Sequence, residues 1–85
     1  MQALNNYVAQ KNSWIAIFGK APMSLDRAED RKAIARHIEG ELSPENLHCD
    51  GEISPAQAMK KYKQLTTVAR QLQQLDSSIT FYELG

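Results

Sequence analysis

Cysteine, long apolar runs and a targeting signal are scarce or missing in this chain. Cys49 is the only cysteine among 85 residues, so no disulfide can form within the chain, which is typical of a reducing compartment. No apolar run is long enough to span a bilayer, and the N-terminus lacks the basic start and apolar block of a secretory signal. We therefore expect a soluble cytoplasmic protein that enters no membrane and forms a single domain over residues 1–85.

An excess of charge of either sign is also missing. Ten Lys and Arg residues balance ten Asp and Glu residues, which gives a formal net charge of +0 at pH 7. Dedicated DNA-binding proteins normally carry a basic excess and DNA mimics an acidic one, so the composition favours neither class. The four glycines lie far apart, which excludes glycine-rich phosphate loops, and no Ser-His-Asp order or dinucleotide fingerprint occurs. The sequence thus predicts a protein that is not an enzyme and binds no cofactor.

Apolar residues recur at helical spacing in three segments, which predicts a mainly α-helical domain of three helices. The first segment covers residues 3–18, and Gly19 follows it as a stop signal. The second begins at a cap formed by Ser24, or by Asp26 with Glu29 completing a reciprocal capping pair.

The third helix has the clearest start. Ser54 is a capping residue, Pro55 suits the first helical position, and Gln57 can close a capping box onto Ser54. An apolar stripe then extends to Asp76, and its members are Met59, Tyr62, Leu65, Val68, Ala69, Leu72 and Leu75. Polar residues between them, including Gln71, are expected to face water.

Two short apolar runs leave a minor β structure open. Residues 14–18 could form a buried strand instead of the end of the first helix, and residues 79–83 are rich in β-forming side chains. Neither run can make a sheet alone. The sequence therefore predicts either a two-stranded patch between residues 14–18 and 79–83 or simple packing of both runs across the helices.

The densest group of metal-ligand residue types lies in the stretch 46–57, and consists of His48, Cys49, Asp50 and Glu52. On the calcium-loop template, neutral amides stand where the anionic first and last ligands belong. A structural zinc site normally needs four ligands, mostly sulfur and imidazole, and the chain has at most three such groups. A His48–Cys49 catalytic pair is disfavoured because neighbouring side chains on a turn diverge. We expect a turn without metal, and keep a metal- or thiol-dependent site at residues 46–57 as a third hypothesis.

Lys60, Lys61 and Lys63 form the only basic cluster, with Tyr62 among them. Such an edge could contact phosphates while the aromatic ring stacks on a base. Lysines that flank an apolar stripe are also what an ordinary amphipathic helix shows. A nucleic-acid-binding accessory protein that uses this edge is therefore the alternative hypothesis.

The stretch ELSPENLHCDGEISPAQAMKKYKQL resembles short uncharacterised proteins encoded by tailed phages and prophages, over about residues 41–75. The resemblance implies no activity and no functional residue, but it favours a protein that acts by binding a host or viral macromolecule. Since no catalytic set is assembled, we expect a small non-enzymatic protein-binding module. Such a module would be an adaptor or inhibitor that docks on another protein or self-associates.

Large apolar side chains near the chain ends are more numerous than a small core needs. Residues at chain ends are also the easiest to spare from a core, because few covalent neighbours hold them in place. We therefore expect the partner-binding surface to be formed by Trp14, Phe18, Phe81, Tyr82 and Leu84. The alternative is that these chain ends simply close the core over each other.

Overall fold

Three α-helices and one short turn of 3-10 helix make up the ordered elements of the computed structural model, which describes residues 1–43 and 54–84. The bounds are Gln2–Ile17 for α1, Ala28–Leu42 for α2, Pro55–Leu75 for α3 and Tyr82–Leu84 for the 3-10 turn. The predicted mainly α-helical, three-helix domain is confirmed in these residues. Within them, no helix is both long and apolar enough to cross a lipid bilayer.

The predicted β patch is wrong for the described residues. Residues 14–17 lie within α1, so their backbone groups are used inside the helix. The second run, residues 79–83, follows a turn in which the Ile79 N–H donates to the Asp76 carbonyl, and it then enters the 3-10 turn. The Tyr82 N–H in this run donates to Glu39 Oε1 of α2 at 2.8 Å, so a side chain takes the place that a neighbouring strand would have.

The core is organised around α3, which packs against both α1 and α2. Each helix contributes one buried stripe, as helical periodicity predicts. The largest fully buried side chains are Leu4, Ile34, Ile38, Leu42 and Leu72. Ile79 and Phe81 from the segment after α3 join the same buried cluster.

The start of α3 agrees with the prediction in every detail. Ser54 Oγ accepts a hydrogen bond from the Gln57 backbone N–H at 3.2 Å, and Gln57 Oε1 accepts one from the Ser54 N–H at 3.1 Å. Pro55 occupies the first helical position, where a missing N–H costs nothing. The predicted capping box is therefore confirmed.

Replacement of Ser54 by Ala removes one half of this box. We expect Ser54→Ala to lower the free energy of unfolding by about 1 kcal/mol, since an N-cap side chain typically contributes that much. Urea denaturation monitored by far-UV circular dichroism gives the measurement. Ser77 is an exposed serine with no hydrogen bond from its side chain among the described residues, so Ser77→Ala is the matched control. Equal midpoints for the two variants would show that the box contributes nothing to the fold.

The start of α1 depends on a residue far away in the chain. Met1 provides no side-chain cap, and the Leu4 N–H instead donates to Gln71 Oε1 of α3 at 2.9 Å. Gln71 is partly buried, so the expectation that it faces water is wrong. A long-range side chain thus satisfies one of the free donors that every helix start leaves.

The start of α2 also differs from the prediction. The helix begins at Ala28, and neither Ser24 nor an Asp26–Glu29 pair caps it. Asp30 stabilises this turn instead, because its Oδ2 accepts from the Ser24 N–H at 3.0 Å and from Arg27 Nε at 2.6 Å. The Ser24 hydrogen bond, and then the Arg27 guanidinium, hold the pKa of the Asp30 carboxyl below its usual value.

Asp76 fixes the turn that leads from α3 to the C-terminal segment. Its Oδ1 accepts from the Ser78 hydroxyl at 2.6 Å and from the Ser78 N–H at 3.1 Å, while Oδ2 accepts from Arg31 Nε of α2 at 2.9 Å. The Ser78 hydroxyl, followed by Arg31, lowers the pKa of Asp76 to about 2. The turn therefore connects the end of α3 to α2 and directs Ile79 and Phe81 into the core.

Candidate functional site

Three large apolar side chains are exposed together at the C-terminal end of α1. Trp14 is 60% exposed, Ile17 71% and Phe18 73%. Trp14, Ile17 and Phe18 follow the i, i+3, i+4 spacing that places residues next to one another on a helix. We refer to these three residues as the α1-end surface.

The α1-end surface exists because the apolar stripe of α1 is longer than the core beneath it. Leu4, Tyr7 and Val8 are buried at the N-terminal half of the helix. The same helical stripe continues to Ile15, which is partly buried, and to Phe18, which is exposed. The last turn of α1 thus presents core-type side chains that remain mostly exposed.

A cleft lies between the end of α1 and the segment that follows it. Its volume is about 510 Å³, and its apolar walls include Trp14, Ile15, Phe18 and Met23. Lys20 and His37 also line it. A concave apolar site with a few polar groups at its edge is the usual form of a ligand or peptide site.

Gly19 ends α1 and turns the chain back beside the helix. Its φ of 71° is in the left-handed region that favours glycine. The Gly19 N–H donates to the Ala16 carbonyl at 3.0 Å, and the Lys20 N–H donates to the Ile15 carbonyl at 3.2 Å. These two bonds form a Schellman motif, which fixes the position of Lys20 relative to the last turn of α1.

Asn12 holds the other wall of the cleft in place. Its Nδ2 donates to the Met23 carbonyl at 3.0 Å, and its Oδ1 accepts from the Met23 N–H at 2.8 Å. This pair of bonds ties the returning segment to the side of α1. Sequence analysis did not predict this role, because an asparagine inside a helical pattern indicates only low helix propensity.

Lys11, which interrupts the apolar stripe of α1, is paired within the fold. Its Nζ lies 3.0 Å from Glu41 Oε1 and 5.2 Å from the centre of the Tyr7 ring. The Tyr7 hydroxyl donates to the same Glu41 carboxylate. Burial of Tyr7, and then the hydrogen bond and negative charge of Glu41, raise the pKa of the Tyr7 hydroxyl above its usual value. This polar group links α1 to the end of α2.

The five residues expected to bind a partner do not lie together. Trp14 and Phe18 share the cleft, whereas Phe81 is 3% exposed and belongs to the core. Leu84 is partly buried against that core. Tyr82 is 90% exposed, but it lines a different cleft with Arg36 of α2. The expectation that Phe81 is spared from the core is wrong, because the Asp76 turn directs it inward.

The aromatic residue of the basic edge is only partly exposed. Lys60 and Lys63 are exposed, while Lys61 is partly buried. Tyr62 is also partly buried and packs against the core.

The hypothesis of a metal- or thiol-dependent site at residues 46–57 concerns a stretch that lies largely outside the described residues. His48, Cys49, Asp50 and Glu52 all lie in the stretch 44–53, and only residues 54–57 of the proposed loop are described. In residues 1–43 and 54–84, no three His, Cys, Asp or Glu side chains come close enough to share a metal ion.

Of the residues that the sequence singles out, the fold brings Trp14 and Phe18 together on an exposed apolar surface. Ile17 lies beside them by helical spacing, whereas Met23 and His37 reach the cleft only through the folded structure. No protein-family model matches the chain, and no curated protein or solved structure matches it either.

Proposed function

We propose that this chain is a small non-enzymatic protein-binding module that docks a partner protein on the α1-end surface. The observation that carries the proposal is the joint exposure of Trp14, Ile17 and Phe18 on one helix end. Exposed apolar patches of adjacent large side chains mark interaction sites in proteins of this size. Aromatic side chains are also the residues that most often dominate binding energy at protein interfaces.

The energetics of these side chains support the same proposal. Trp and Phe bury about 150–250 Å² each when fully covered, and each buried Å² of apolar surface contributes about 25 cal/mol. Covering the exposed parts of Trp14 and Phe18 would therefore contribute about 2–4 kcal/mol for each residue. A partner that covers both gains enough to offset much of the entropy lost on association.

The position of the surface on a helix also favours docking. The Schellman motif at Gly19 and the two Asn12 bonds hold both walls of the cleft. The resemblance of residues 41–75 to phage proteins is the reason to expect a host or viral protein as the partner, and an adaptor or inhibitor role.

The proposal predicts that Trp14→Ala and Phe18→Ala together abolish partner binding without unfolding the chain. Both side chains are mostly exposed, so we expect the free energy of unfolding to change by less than about 1 kcal/mol. We expect binding to weaken at least about thirtyfold, because a hot-spot side chain contributes about 2 kcal/mol or more.

Tyr82→Ala is the matched control, since it removes an exposed aromatic ring from another part of the surface. The wild type, Tyr82→Ala and the double variant are each used to capture proteins from a lysate. Proteins captured by the first two only are purified, and their affinities for all three chains are measured directly. Binding that survives in a folded double variant would contradict the proposal. Loss of binding with Tyr82→Ala alone would show that the interface lies at the cleft lined by Tyr82 and Arg36 instead.

A further inference from the structure

We infer that the partner presents an acidic, apolar segment to this site. In this arrangement its apolar side chains fill the cleft beside Trp14 and Phe18, and its carboxylates lie over Lys20 and His37. The inference rests on the proposed function and adds the chemistry of the segment that is recognised. It follows from the charges around the cleft.

The cleft is lined by basic residue types and by no carboxylate among the described residues. Lys20 and His37 are exposed at its edge, and neither side chain has a hydrogen bond or ion pair with another described residue. Lys11 also lines the cleft, but its ammonium group is already paired with Glu41. The net charge left for a partner is therefore positive, although the whole chain is neutral. Interfaces are complementary in charge, so this edge fits a segment that carries carboxylates.

The backbone at the end of α1 strengthens this preference. A helix C-terminus normally offers free carbonyls, which would attract a donor or a cation. Here the N–H groups of Gly19 and Lys20 already occupy the Ala16 and Ile15 carbonyls. The Lys20 ammonium group is therefore the main charged group that a partner meets beside the aromatic rings.

A second copy of the chain fits this site less well. In a symmetric dimer the same patch faces itself, so each cleft must supply groups that complement its own edge. This cleft has cationic and neutral edge groups and no described carboxylate to pair with them. An isologous contact would place like charges near each other.

An anionic membrane surface is also disfavoured. Peripheral proteins that bind such surfaces electrostatically use clusters of about 4–8 Lys or Arg residues, or a long amphipathic helix with a basic face. The described residues around the α1-end surface offer a single unpaired lysine. The site is also a cleft, which suits inserted side chains of a peptide.

Selection from a displayed library of random 12-residue peptides on the full chain tests the inference. We expect the enriched peptides to combine large apolar residues with Asp or Glu, and to lose binding to Trp14→Ala. Lys20→Glu should weaken the purified peptides about tenfold, because it replaces an attraction by a repulsion at the edge of the cleft. Lys32→Glu makes the same charge change at an exposed lysine of α2 that does not line this cleft, and should change affinity less than about twofold.

The other outcomes separate the two proposals. Two outcomes overturn the inference and leave the proposed function standing. In the first, the enriched peptides need Trp14 but carry no excess of Asp or Glu. In the second, they bind Lys20→Glu as tightly as the wild type. Peptides that ignore Trp14→Ala, or a selection with no enrichment, also overturn it, and the lysate capture then decides the proposed function. Trp14-dependent binding to phosphatidylglycerol vesicles, or a Trp14-dependent dimer in sedimentation, overturns it in favour of a lipid surface or a second copy.

Discussion

Phe81→Ala is expected to lower the free energy of unfolding by about 3–5 kcal/mol, which is typical of a buried Phe cut back to Ala. Phe81 is almost fully buried and contacts the cluster formed by all three helices. A chain of this length has a total stability of about 4–13 kcal/mol, so the loss is a large fraction of what holds the fold together. Phe81→Leu should cost much less, because it leaves a smaller cavity.

Tyr82→Ala is the matched control for Phe81→Ala. The two aromatic residues are adjacent, but nearly all of the Tyr82 side chain is in solvent, so we expect a change below about 0.5 kcal/mol. Urea denaturation of both variants under the same conditions provides the measurement. Similar midpoints for Phe81→Ala and Tyr82→Ala would contradict the placement of Phe81 in the core.

Leu72→Ala is expected to destabilise the protein by about 2–5 kcal/mol, as removal of a fully buried leucine does. Leu72 has no exposed surface and lies on α3, the helix that packs against both α1 and α2. The cavity left by the substitution would therefore lie where the helices meet. Thermal and urea denaturation should both show the loss.

Leu75→Ala is the matched control for Leu72→Ala. Helical spacing assigns Leu72 and Leu75 to the same stripe, but Leu75 is 46% exposed at the last turn of α3. We expect the free energy of unfolding to fall by less than about 1 kcal/mol for Leu75→Ala. If the two variants lost equal stability, the core would have to extend one turn further along α3 than the structure places it.

The features that sequence predicted well are those set by neighbouring residues. The capping box of α3 involves residues three apart, and its geometry depends on nothing else. The stop signal at Gly19 is equally local, since the left-handed φ there needs glycine. Helical periodicity also gave the middle of the buried stripe of α3, namely Leu65, Val68, Ala69 and Leu72, whereas Met59 and Leu75 at its two ends are exposed.

The features that sequence missed depend on contacts across the chain. Gln71 reaches back over 67 positions to Leu4, and Asn12 pairs with Met23, yet polar residues in a helical pattern simply predict a solvated face. The exposure of Phe81 was inferred from its nearness to a chain end. That reasoning failed because the Asp76 turn supplies the tertiary contacts that a position in the sequence does not reveal.

The candidate site also combines features that the sequence predicted with features that only long-range contacts reveal. Trp14 and Phe18 could be proposed from sequence because the large apolar residues near the chain ends exceed what a small core needs. The partners that complete the cleft, Met23 and His37, come from a returning segment and from another helix. Only the fold shows that Lys11 is paired and that Lys20 is left at the edge.

The central position of α3 has a consequence for the order of events during synthesis. A ribosome makes α1 before α3, the helix that packs against it. The nascent chain therefore carries α1 without its main packing partner until α3 has been made, a state in which exposed apolar surface is prone to aggregation. Closure of the core then hides the first half of the apolar stripe of α1 and leaves Trp14 and Phe18 as they were. The proposed docking surface is thus exposed both before and after the core closes.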